Sequence, residues 1–115
     1  MSIKEKEKSN NIDFEKISLE IISSAGKAKS LAIEAITLAK EGQFETALKM
    51  IDEANDNITK ALQSHMSVIV EEGKGYQLSF SVLFMHSEDH LLTTQMMIEI
   101  SKEFINLYQF INRKK

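Results

Sequence analysis

The sequence predicts an all-α protein, an antiparallel three-helix bundle, and three observations carry that prediction. None of the 115 residues is proline, so no position removes a backbone donor or forces a helix to break. Only four glycines occur, and three of them, Gly42, Gly73 and Gly75, stand where the apolar spacing independently lapses. Between those points the chain is rich in Ala, Leu, Ile, Glu and Lys, and its apolar residues recur every three or four positions. The length suits one compact domain.

Residues 1–12 alternate Lys and Glu without a sustained apolar period, and are expected to form a polar, disordered tail ahead of a single domain over 13–115. Asp13 is placed to cap helix one, predicted over Asp13–Glu41. Phe14, Ile17 and Ile21 open its apolar face, and Ala25, Ala28, Ala32, Ala35 and Ala39 continue it as a narrow seam that lets another helix approach closely. Leu31, Ile33, Ile36 and Leu38 make the apolar surface wider than one partner helix needs. Gly26 inside this helix costs about 1 kcal/mol against alanine, and close packing is the expected compensation. Helix two is predicted over Phe44–Val70, with Phe44, Ala47, Leu48, Ile51, Ala54, Ile58, Ala61, Leu62, His65 and Ile69 at helical spacing. The short connection makes helices one and two an antiparallel hairpin. Glu71–Gly75 reads as a turn whose two glycines permit positive φ. Helix three is predicted over Ser79–Asn112, with Ser79 or Ser81 as its cap. It is apolar on most sides, from Val82 and Leu83 through Leu91, Leu92, Met96 and Met97 to Phe110 and Ile111, where a bundle helix needs one stripe. That excess predicts self-association, with helix three near the centre of an oligomer.

Composition removes several functions. Lys and Arg number 14 against 17 Asp and Glu, a formal net charge of -3, and no basic stripe is present to engage nucleic-acid phosphates. The absence of cysteine excludes disulfides, a thiolate nucleophile and Cys-based zinc sites. No apolar run reaches the ~18–20 residues that span a bilayer, and the N-terminus through Asn11 lacks the apolar core of a secretion signal. A cytoplasmic protein without direct membrane insertion is expected.

Chemistry concentrates in Met85–Thr94, where two of the three histidines and two acids fall within five residues, His86 to His90, of an otherwise apolar helix. His86, Asp89, His90 and Thr93 stand at i, i+3, i+4 and i+7 and so share one face. Three readings of that face are open on spacing alone. A neutral imidazole can attack phosphorus and carry the phosphoryl group as phosphohistidine. His-x-x-Asp-His can hold a metal ion with ligands one turn apart. The cluster can also be a polar island that does nothing further. There is no glycine-rich phosphate-cradling loop, no acid–histidine–serine constellation and no paired Glu-x-x-His di-iron motif.

His86-Ser87-Glu88-Asp89-His90-Leu91-Leu92-Thr93 closely resembles the His-Ala-Gln-Asp-His-Leu-Met-Thr signature of one sugar-phosphotransferase family. That family is the lactose/cellobiose (chitobiose) class of IIA components of the bacterial phosphoenolpyruvate-dependent system. Ser24-Ala25-Gly26-Lys27-Ala28-Lys29-Ser30-Leu31-Ala32 is similar to its helix-one segment, Ala39-Lys40-Glu41-Gly42-Gln43-Phe44 to its first turn, and Ser64-His65 to an alanine–histidine pair late in helix two. The likeness spans roughly residues 14–112.

The resemblance implies a homotrimer of three-helix subunits and a phosphotransferase role. His86 would accept a phosphoryl group from the phosphocarrier HPr and pass it to a cysteine of the IIB component, with the IIC permease served indirectly. The sugar implied is a disaccharide of the cellobiose, lactose or chitobiose type. It also implies that three copies of Asp89 meet at the trimer axis around a divalent metal ion, magnesium being the expected one. His90 is a candidate support for the phosphoryl group, and His65 either lines the cleft between subunits or is a partly buried helix-end histidine. The chain departs from the family pattern at Ser87 and Glu88 (Ala-Gln), at Leu92 (Met), and at Val68 and Ile69, where glutamine and threonine are usual. Glu88 places a negative charge beside the phosphoryl site unless its side chain points away. The competing readings are a histidine-phosphotransfer module of two-component signalling, whose His-x-x-Lys-Gly pattern is absent here, and a metal-stabilised trimeric adaptor.

Overall fold

The structure, a computed structural model, describes residues 13–75 and 81–115, and every regular element among them is helical. The helices are α1 (Phe14–Lys40), α2 (Phe44–Gly73) and α3 (Val82–Arg113). The expected N-terminal tail and the candidate cap Ser79 lie outside the described residues.

Each helix boundary has a local cause. Asp13 is extended, and its carboxylate accepts from the Lys16 N–H at 3.1 Å, which fixes the start of α1. At the other end Gly42 takes φ +83°. That left-handed residue brings the Gly42 N–H to the Ala39 carbonyl at 3.0 Å and the Gln43 N–H to the Leu38 carbonyl at 2.9 Å, the two bonds of a Schellman motif. The chain therefore reverses within three residues, and α2 runs antiparallel to α1. The α2 helix continues three residues past the predicted Val70, because Gly73 is helical and the left-handed turn falls to Gly75 at φ +95°. The cap of α3 is Ser81, whose hydroxyl accepts from the Phe84 N–H at 3.1 Å.

The core lies on one seam per helix, spaced alternately by three and four residues as in coiled coils. On α1 it comprises Ser18, Ile21, Ala25, Ala28, Ala32, Ala35 and Ala39, all buried. On α3 it comprises Ser87, Leu91, Thr94, Ile98, Ser101 and Ile105. Thr94 donates through its hydroxyl to the Ala25 carbonyl at 3.3 Å. The same separation in sequence sets Ser18 level with Ser87 and Ala32 level with Ser101, so small residues meet small ones along the parallel α1–α3 pair. On α2 the buried positions are Ala47, Ile51, Ala54, Asn57, Ile58, Ala61 and Val68, and Asn57 spends its amide on the Glu53 carbonyl at 2.9 Å.

Two expectations are corrected. A Cβ built on Gly26 meets nothing within 4 Å, so within the chain no close helix approach compensates that glycine. Leu48, Leu62 and Ile69, predicted on the apolar face of α2, are exposed, and Val68 takes the inward position instead. The broad apolar surface of α3 divides between two faces. Leu91, Ile98 and Ile105 face the core, while Val82, Met85, Leu92, Met96, Ile100, Phe104, Leu107, Phe110 and Ile111 face outward. No helix among the described residues is long and apolar enough to cross a membrane.

Candidate functional site

Ser81 determines where the site lies. By starting α3 at Val82 it places His86 early in the second turn of the helix, just past the first turn, where the backbone dipole favours negative charge most. No acidic residue occupies the first turn of α3.

Four positions that share a face in sequence spacing have three distinct surroundings. His86 is exposed and His90 half-buried, and the two imidazoles meet across one turn with Nε2 to Nε2 at 3.1 Å. The rings stand edge to face, 4.5 Å between centroids and 86° between planes. One Nε2 carries the proton and the other accepts it, so the pair shares a single hydrogen bond. Thr93, on the same face, is turned to the backbone: its hydroxyl donates to the Asp89 carbonyl at 2.8 Å.

Asp89 projects elsewhere. It is exposed, and it falls within the outward stripe of Val82, Met85, Leu92 and Met96, which are 68%, 50%, 64% and 61% exposed. No donor among the described residues bonds its carboxylate. One chain supplies this single acid at that point, and no group of three or more His, Cys, Asp or Glu among the described residues gathers to hold a metal ion. The predicted metal position therefore does not form a site in one chain; further carboxylates would have to come from other copies.

Two of the three departures within the signature, Ser87 and Glu88, have different outcomes. Ser87 is buried and donates to the Phe84 carbonyl at 2.6 Å, beneath the histidine face rather than on it. Glu88 is directed to α2, where its Oε2 lies 2.8 Å from the Nε2 of His65. The His65 ring stacks on Phe84 at 5.8 Å and 6°. Phe84 in turn meets the edge of Phe14 on α1 at 5.3 Å. Sequence spacing does not reveal this chain of contacts, because it depends on how α2 and α3 are registered against each other.

Comparison with known proteins agrees with this architecture. Residues 16–109 match the family model for the lactose/cellobiose-specific IIA subunit of the phosphotransferase system. The lactose-specific EIIA component of Staphylococcus epidermidis is 32% identical over 100 residues, covering 87% of this chain and 96% of that protein. The oligo-beta-mannoside-specific EIIA component of Bacillus subtilis is 35% identical over 108 residues, covering 94% and 98%. The crystal structure of the cellobiose-specific enzyme IIA from Bacillus anthracis superposes with a TM-score of 0.87 at 32% identity, covering 90% of this chain and 95% of that one. The chain belongs to the lactose/cellobiose-specific IIA family, phosphotransferase components of the sugar phosphotransferase system.

Proposed function

We propose that this chain carries a phosphoryl group on His86 between HPr and a IIB component. The observation that carries the reading is an exposed imidazole at the positive end of α3, with a second imidazole 3.1 Å away. In the tautomer where His90 Nε2–H donates, His86 keeps a lone pair on Nε2 and a proton on Nδ1, the neutral form needed for attack. The His86 nitrogen forms a bond to phosphorus as the nitrogen–phosphorus bond on HPr breaks. The imidazole freed on HPr takes up the proton that His86 releases. For that bond to phosphorus to form, His90 turns its N–H from His86 Nε2 to a phosphoryl oxygen, which frees the attacking lone pair and offsets part of the new charge. The second transfer runs the same chemistry outward, to the thiolate of a IIB cysteine.

Three copies of the chain would bury the outward stripe of α3 against itself. Such a homotrimer places three Asp89 carboxylates inside an apolar interface, where a divalent cation, magnesium by its preference for carboxylate oxygen, would offset their repulsion. Each chain would supply one ligand, Asp89, to such a site. The sugar class proposed is a disaccharide of the cellobiose, lactose or chitobiose kind, delivered through IIB and IIC by a cytoplasmic carrier. No specific observation favours the two-component signalling or adaptor readings.

The test is reconstitution with labelled phosphoenolpyruvate, enzyme I and HPr. Acid-labile, alkali-stable label is expected on the wild type and absent from His86→Ala; equal label on both would refute the assignment.

A further inference from the structure

The family signature has glutamine where this chain has Glu88, and the structure shows what accompanies the added charge. Successive helical residues are about 100° apart, so Glu88 stands about 200° round α3 from His86 and faces α2 instead. There its carboxylate meets His65 Nε2 at 2.8 Å, with the two side chains 36% and 22% exposed. The imidazole is not free to leave. It lies parallel on Phe84, 5.8 Å away, and Phe84 is braced edge-on by Phe14 at 5.3 Å. All three helices thus contribute to holding one carboxylate, and they do so directly behind the histidine face.

We propose that His65 is a positioning residue for phosphoryl transfer, holding and compensating the Glu88 carboxylate so that its charge does not oppose a phosphoryl dianion on His86. The inference rests on the phosphohistidine reading of His86. The physical need for it is simple. A half-buried carboxylate two residues from a site that must accept negative charge is felt there, because the intervening medium screens less than water. A glutamine at position 88 would need no such partner. A glutamate does, and His65 supplies the N–H, with Phe84 fixing its ring. His65 touches no reacting atom in this arrangement; it acts through Glu88.

The experiment measures the rate at which His86 is phosphorylated in the full chain, with phospho-HPr and, separately, with phosphoramidate as a small donor that requires no protein docking. His65→Ala should slow labelling about tenfold from both donors, the order expected for exposing one nearby like charge. Glu88→Gln added to His65→Ala should return the rate to within about twofold of wild type, because the charge that needed compensation is gone. A purely structural role for His65 would not be rescued this way. If His65→Ala loses its helical circular dichroism, His65→Leu, which keeps the bulk against Phe84 but cannot donate to Glu88, takes its place in the same comparison with and without Glu88→Gln. A His65→Ala protein as fast as wild type, or a double variant as slow as the single one, overturns the proposal. Wild type that takes no label from either donor overturns the phosphohistidine reading and this one together; labelled wild type without rescue overturns this one alone.

Discussion

His86 and Glu88 are two positions apart, yet one faces a second imidazole and the other a different helix, and that division is what a 3.6-residue period does to neighbours. The pairing of His86 with His90 is legible in the sequence, because i and i+4 always stack on a helix. The pairing of Glu88 with His65 is not. It requires knowing that residues 65 and 88 are about equally far from the connection between α2 and α3, which depends on where α2 ends. Two substitutions test this scale. His90→Ala should leave the label on His86 but slow its arrival roughly ten- to a hundredfold, the loss expected of one charge-assisted hydrogen bond worth about 1.5–3 kcal/mol; rapid-quench labelling measures it. Ser87→Ala, the family residue, should change stability by less than about 1 kcal/mol in urea unfolding, since the hydroxyl serves only the Phe84 carbonyl one turn back and no other helix.

The helices themselves are set by seams of small residues, and this level was the most readable. The alanines of α1 were recognisable as a packing seam from their three–four alternation, and all five are buried. What sequence could not supply was which of two glycines turns the chain after α2. Gly73 and Gly75 are both conformationally free, and only the backbone shows that Gly75 is the left-handed one. Nor could it place Gly26, whose side is open rather than packed. Gly26→Ala is therefore expected to stabilise the chain by about 1 kcal/mol through helix propensity, read from the shift in urea midpoint. A loss of stability would mean that another copy packs against that side. Ala32→Leu, by contrast, should cost about 1–3 kcal/mol or more by overpacking the α1–α3 seam.

At the scale of the molecule, the outward stripe of α3 is too apolar for a surface left to water, with Leu92 and Met96 both more than 60% exposed in the single chain. The sequence anticipated the excess by counting apolar positions around α3. Asp89 continues that stripe at the three–four spacing of Val82, Met85, Leu92 and Met96, but a role for it there is implied only by the resemblance. Sedimentation at micromolar concentration should show a trimer, and a lysine pair at Leu92 and Met96 should yield helical monomers. Asp89→Asn should lower the divalent metal retained per chain, measured by elemental mass spectrometry, while the monomer fold persists; unchanged metal content would move that site elsewhere. The central proposal is transfer through His86, so the most direct measurement is phosphorus NMR of the chain after incubation with phosphoenolpyruvate, enzyme I and HPr, with the modified residue mapped by peptide mass spectrometry under alkaline conditions. One phosphohistidine resonance is expected, located to His86 and missing from His86→Ala. A resonance that persists in His86→Ala, or maps to His90 or His65, would contradict it.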